Sequence, residues 1–299
     1  MKCVVGIDLE RRSESAIALL GRLQFDVEET TLLHITEPMQ LALPYSAYGM
    51  FVETDEIYET LQKAGQEVLA EESKTANQLG LHPKSELCEG FPTTALTDFA
   101  DQLGASIIAV TSTVRSTVSA VFGGSVARGL AISAKQSVLV AREDMPPEGP
   151  LRAVFAIDQS PYCSKCIELL AKLGPKGISH ITLLTVHEQA KHEGLLSRIH
   201  TVNTKALIEE ADKKLTENGE LVAKWLTGNG IPTSSRVETG NVDETIHRVM
   251  NETKADLLIV GSQGHGFMDR VLVGSTSLHE VVNERYPVLL LRLPPDPVS

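Results

Sequence analysis

The sequence predicts an α/β fold: two tandem doubly wound domains, each a five-stranded, mainly parallel sheet with helices on both faces. Three observations carry this. Residues 150 positions apart repeat one another along the chain. Apolar runs of strand length alternate with amphipathic stretches of helix length. The apolar runs are near-continuous in Val, Ile and Leu, as in strands covered on both faces. Strand and helix in strict alternation imply parallel pairing through right-handed crossovers.

The repeat shows first in VVGIDLERRSESAIALL (4–20) and VFAIDQSPYCSKCIELL (154–170). One offset of 150 pairs Asp8 with Asp158, Gly90 with Gly240, Gly124-Ser125 with Gly274-Ser275, and SVLV (137–140) with PVLL (287–290). The copies are expected at residues 1–145 and 151–299, each of ordinary domain size. They join at EDMPPEGPL (143–151), whose prolines and glycine continue neither strand nor helix. In the first copy the strands are expected at 2–7, 30–36, 84–88, 106–110 and 137–142. In the second they are RAVFAI (152–157), ITLLTV (181–186), SSRVE (234–238), DLLIV (256–260) and VLLLRL (288–293). Helices are expected between them at 161–173, 203–229, 242–253 and 275–284, the last stopped by Pro287. In such folds ligands bind beyond the carboxyl ends of the strands, where the strand order reverses. Asp158, Thr185-Val186 and Gly261 fall at such ends.

Composition narrows the function. The 299 residues are 42% hydrophobic and 22% charged, as in a soluble globular protein. No apolar run reaches the roughly 18 residues of a membrane helix. MKCVVGIDLE places Asp8 and Glu10 where a signal peptide would continue its apolar core, so it reads as a strand. A cytoplasmic protein is expected. The net charge is −12. Residues 1–145 hold 11 basic and 20 acidic residues and the remainder 16 and 19, so both copies are acidic. Without a basic block, neither nucleic acid nor an anionic membrane is an expected partner.

Of the four cysteines, Cys3 and Cys88 sit in apolar runs and read as buried thiols. Cys163 and Cys166 form a CxxC at a helix start, where a thiol pKa can fall. The first copy has no such pair, which weighs against a redox dithiol.

The stretch with the most chemistry is GSQGHGFMDRVLVGSTS (261–277), between an apolar strand and a helix. Glycines here free the backbone to take positive φ and let a ligand approach without a Cβ in the way. Gly274 then opens a helix with Ser275, Thr276 and Ser277 in its first turn, where free N–H groups and the positive end of the dipole favour phosphate. Arg270, between the glycine clusters, is placed to reach a terminal phosphate. The spacing is neither a Walker loop nor a Rossmann GxGxxG.

The spacing Gly-x2-Gly-x9-Gly-Ser, met by Gly261, Gly264, Gly274 and Ser275, resembles the nucleotide motif of the universal stress protein family. The resemblance covers nearly the whole chain as two tandem domains, and implies the Rossmann-like fold of adenine nucleotide alpha hydrolases. It also implies ATP as ligand, with or without Mg2+, and a role in stress response or signalling. Asp158 would then sit near the ribose or the phosphate-loop backbone, and the main chain around Val186 near the adenine. The glycine loop would wrap the phosphates, with Ser275 and Thr276 at the helix start. The first copy departs from the pattern: Thr111 and Val114 replace the first two glycines, while Gly124, Ser125 and Asp8 remain. A branched side chain where a phosphate must come close obstructs the site, so the first copy is expected to be degenerate.

Plainer readings stand beside these. Asp158 could only cap the helix at Pro161. Arg270 could be an ordinary loop residue. His180, His187, His192, His200 and His265 lack metal-ligand spacing, and no metal site is expected. The connector 187–203 is long enough for a cover over the adenine, or is a plain surface loop. The competing function class is a slow ATPase or another adenine-nucleotide enzyme. His265 and Asp269 are candidates for it, but no spacing ties either to a phosphate or a water. Protein partners are not named by the sequence. The apolar final strands imply an intramolecular pair of domains, and a homodimer is compatible.

Overall fold

The computed structural model describes residues 1–37, 54–113, 125–144, 149–187, 204–263 and 273–294. Contacts divide the chain into two compact units, with bodies at Met1–Gly21 and Asp26–Met145 for the first and Pro146–Leu291 for the second.

In the first unit the strands are β1 (Lys2–Ile7), β2 (Glu29–Thr36), β3 (Lys84–Glu89), β4 (Ile107–Thr111) and β5 (Ser137–Ala141), in spatial order β3-β2-β1-β4-β5. Helices α1 (Glu14–Leu23), α2 (Thr54–Gln78), α3 (Pro92–Leu103) and α4 (Ser125–Ser133) connect them. The second unit repeats the plan with β6 (Leu151–Ile157), β7 (Ile178–His187), β8 (Thr233–Thr239), β9 (Leu257–Gly261) and β10 (Val288–Leu291), ordered β8-β7-β6-β9-β10. Its helices are α5 (Pro161–Leu173), α6 (Thr204–Gly228), α7 (Val242–Thr253) and α8 (Ser275–Asn283). Every described pairing inside each unit is parallel. The order reverses beside the first strand of each unit, between β1 and β4 and between β6 and β9. Among the described residues no helix is long and apolar enough to cross a membrane.

Burial explains which strands were legible. β4 and β9 are buried except at their last residue, and β5 and β10 throughout. These are the continuous apolar runs of the sequence. β3 and β8 are polar and largely uncovered, as suits edge strands. β7 begins three residues before its apolar run, because Ile178 pairs with Leu151 across a register shift. β10 ends at Leu291, short of the expected 293.

Local chemistry sets the helix ends. Ser160 caps α5 by accepting the Cys163 N–H at 3.1 Å, and Pro161 follows in the first turn. Asn241 caps α7 through the Glu244 N–H at 3.1 Å, with Asp243 and Glu244 facing the positive end of the dipole. Gly90 and Gly240, equivalent in the repeat, both hold φ at 151°, a conformation that favours glycine.

Candidate functional site

The parallel register places the expected site residues of the second unit along one edge. Ile157 pairs with Thr185, Ala156 with Val260 and Leu291 with Gly261. The next positions along these strands are Asp158, Val186 and Ser262. All lie at the carboxyl edge, at the point where the strand order reverses. α8 starts on the same edge, since the Gly274 N–H donates to the Ser262 carbonyl at 2.8 Å. Four stretches far apart in the sequence thus meet.

Asp158 is half-buried, and its Oδ1 accepts the Ser160 N–H at 3.0 Å. It shapes the turn into α5, while Ser160 does the capping. Val186 is half-buried at the end of β7. Beside it, His187 Nδ1 meets Asp212 Oδ1 at 3.0 Å. Ser275 is exposed and Thr276 half-buried in the first turn of α8, whose first helical bond runs from the Leu278 N–H to the Gly274 carbonyl. Among the described residues, no acceptor meets the N–H groups of Ser275, Thr276 or Ser277. Three donors and a helix dipole therefore face one edge, an arrangement suited to an anion.

The glycines act through space. Gly261 is absent from the positive-φ residues and Gly274 has φ −64°. A Cβ at Gly261 would lie 3.5 Å from Cys166 Sγ, Tyr162 Cε1 and the Gln263 carbonyl. Gly261 is a seat for the start of α5. The expected backbone freedom is not what it supplies.

The first unit fills the equivalent region with its own side chains. Asp8 Oδ1 accepts the Arg12 N–H at 3.2 Å, and the Arg12 guanidinium lies 3.7 Å from Asp8 and 3.1 Å from Glu10. Thr111 Oγ1 accepts the Ala16 N–H at 3.2 Å. α1 begins at Glu14, three positions later than α5 in the repeat, and the Ala16 N–H in its first turn is shared between the Ser13 carbonyl at 2.9 Å and Thr111 Oγ1.

Cys163 and Cys166 are both free thiols. Both are buried; burial pushes the Cys163 thiol up to about 11 and the Cys166 thiol higher. Among the described residues no group of three His, Cys, Asp or Glu could hold a metal ion. A groove of about 340 Å3 runs along Glu220, Lys224, Thr233 and Ser235, at the amino end of β8 and away from the shared edge. Gly264, His265, Asp269 and Arg270, the connector 188–203, and Val114 and Gly124 lie outside the described residues.

The model of the universal stress protein family matches residues 1–142 and again 151–292. The chain belongs to the universal stress protein family. Among solved structures it is similar to a universal stress protein from Archaeoglobus fulgidus DSM 4304, with TM-score 0.68 and 20% identity over 99% of this chain and 97% of that one. It is also similar to a functionally unknown protein from Pseudomonas aeruginosa PAO1, with TM-score 0.56 and 13% identity over 97% and 92%. At these identities the likeness shows the fold. No curated protein matched the chain. The tandem arrangement of two universal stress protein domains accounts for the 150-residue repeat.

Sequence reasoning missed Tyr162 at this edge, and it placed Ser277 in the first turn of the helix without its contact to the strand end. Tyr162 OH lies 2.5 Å from Ser262 Oγ, and Ser277 Oγ donates to the Gly261 carbonyl at 2.7 Å. A Tyr after a helix-opening proline and a third small residue in GSTS carry no signal for contacts spanning 100 and 16 positions.

Proposed function

We propose that this chain is an adenine-nucleotide-binding module of stress response or signalling, with ATP held by the second unit. The observation that carries the reading is the meeting of Asp158, Val186, Gly261 and the α8 N-terminus on one carboxyl edge. The edge offers N–H donors at Ser275, Thr276 and Ser277 that no acceptor among the described residues meets, and these suit phosphates. By the family resemblance, Asp158 is assigned to the ribose side and the Val186 main chain to the adenine. Gly264 and Arg270 are assigned to the phosphate loop on the sequence spacing alone. The first unit spends its equivalent groups internally, with Arg12 on Asp8 and Thr111 on Ala16.

The test is calorimetry of ATP binding to the purified full chain, after removal of carried-over nucleotide, with and without Mg2+. One ATP per chain is expected, and Gly264→Val should weaken binding by at least about 100-fold, imitating Val114 of the first copy. Two equivalent sites, or unchanged binding in Gly264→Val, would refute the assignment. Phosphate release over hours in the same sample separates a binding module from a slow ATPase; none beyond the protein-free rate is expected. Association of the two copies, and of two chains, is proposed from the sequence alone, on the apolar final strands. Small-angle scattering and a mass measurement test these: independently moving copies sink the first, a monomer mass the second.

A further inference from the structure

We propose that Tyr162 and Ser277 are positioning residues that fasten the departure and return of the nucleotide loop in the second unit. The proposal rests on the nucleotide reading above and names the residues that aim its phosphate end.

The loop leaves β9 at Gly261 and re-enters regular structure at Gly274. Four hydrogen bonds hold these two points. The Ser262 N–H donates to the Leu291 carbonyl at 2.9 Å and the Gly274 N–H to the Ser262 carbonyl at 2.8 Å. The Ser277 hydroxyl donates to the Gly261 carbonyl at 2.7 Å, and the Tyr162 hydroxyl meets the Ser262 hydroxyl at 2.5 Å. The first two are backbone bonds that any sequence can make, and the first unit has the equivalent of the first of them, from the Ser112 N–H to the Ala141 carbonyl at 3.0 Å. The last two depend on side chains. At the equivalent positions the first copy has Arg12 and Ala127, neither of which has a hydroxyl.

The geometry gives each bond a consequence. Ser277 is the third residue of α8 and is buried, with 8% of its surface exposed. Its hydroxyl ties the first turn of α8 directly to the strand end. The N–H groups of Ser275 and Thr276 therefore hold a fixed distance from Gly261. Tyr162 lies over Gly261, its ring edge 3.5 Å from where a Cβ would stand, and reaches past it to Ser262. Tyr162 and Ser277 meet the chain on either side of this junction: the tyrosine hydroxyl holds the loop's departure, and the serine hydroxyl holds its return. Where the first copy loses the glycine it has neither hydroxyl.

The test uses the full chain as Ser277→Ala, Ser277→Thr and Tyr162→Phe. Amide hydrogen exchange over residues 262–277 is measured without nucleotide, and ATP affinity and the global unfolding midpoint are measured beside it. Ser277→Ala and Tyr162→Phe are each expected to speed exchange in this segment by about ten-fold and to weaken ATP by about ten-fold, the order of one lost buried hydrogen bond. The global midpoint is expected to stay near wild type. Ser277→Thr keeps the hydroxyl and should restore both readouts to within about two-fold of wild type. Unchanged exchange and affinity in both hydroxyl deletions would overturn the proposal. So would a loss that Ser277→Thr does not rescue, or one that tracks global unfolding. Accelerated exchange in both hydroxyl deletions, together with a wild type that binds no ATP, supports the fastening and overturns only the nucleotide reading.

Discussion

Glu72→Gln is expected to stabilise the first unit by about 2 kcal/mol at pH 8 and to weaken it by about 1 kcal/mol at pH 4. Glu72 lies on α2 with none of its surface exposed. Its Oε1 accepts the Ser13 hydroxyl at 3.3 Å, and its Oε2 has no partner among the described residues. Burial raises its pKa from 4.5 to about 7; the Ser13 bond and Arg11 oppose the rise, and Glu14 and Asp8 add to it. Arg11 is itself engaged with Glu71 at 2.8 Å, so it does not neutralise Glu72 fully. The folded pKa lies above the unfolded one. Below pH 4.5 the carboxyl is protonated in both states and costs nothing. Between 4.5 and about 7 the unfolded chain ionises first, so stability falls as pH rises, and the full penalty persists above 7. The gap corresponds to about 3 kcal/mol. Glutamine removes that slope but leaves a buried N–H2 short of an acceptor, at about 1 kcal/mol at every pH. Unfolding by urea at the two pH values, followed by exchange of amides in α1 and α2, measures the difference; Trp225 fluorescence would report on the second unit. Parallel stability curves for wild type and variant across this range would refute the buried-carboxyl account.

Glu72 also shows where sequence reading stops. A glutamate in an amphipathic helix rich in Glu and Lys reads as solvated, and nothing local says that Ser13, 59 residues away, will cover it. The fold was legible because its signals are local and repeated. The helices expected at 161–173 and 242–253 have those bounds, since Ser160-Pro161 and Asn241 state their caps in the sequence. The strand expected at 181–186 runs Ile178–His187, because its early residues are polar and owe their place to pairing with β6. At the site, spacing singled out Gly261, Gly274 and Ser275, and the strand ends singled out Asp158, Val186 and again Gly261. What packs against Gly261 was not legible. Its neighbours are Tyr162 and Cys166, about 100 residues upstream, whose packing no periodicity encodes.

Gly261→Thr, which copies Thr111 of the first unit, is expected to cost about 1–3 kcal/mol of stability and to weaken ATP binding by at least about ten-fold. The added Cβ would stand at ordinary contact distance, 3.5 Å from Cys166 Sγ and Tyr162 Cε1, and the γ atoms of threonine beyond it are expected to press on one or the other. In the first unit the same threonine is accommodated for two reasons. The facing residue is Ala16, which leaves room, and α1 starts late enough that the Ala16 N–H, in its first turn, donates to Thr111 at 3.2 Å as well as to the Ser13 carbonyl at 2.9 Å. In the second unit α5 starts at Pro161, so the N–H of Cys166 lies inside the helix and a threonine hydroxyl gains no such donor. Steric relief can therefore be supplied without the hydrogen bond. Cys166→Ala alone opens a cavity and should destabilise by about 1–2 kcal/mol. Combined with Gly261→Thr it makes room for the new methyl. The double variant is then expected to be at least about 1 kcal/mol more stable than the sum of the single effects. Nucleotide binding should not recover, because the side chain at 261 still crowds Tyr162 away from Ser262. Thermal unfolding and ATP calorimetry on the four proteins of this cycle give both readouts. Additive losses in stability would show that Cys166 does not set the limit at Gly261. Full recovery of binding in the double variant would show that the seat of Tyr162 is not what the nucleotide requires.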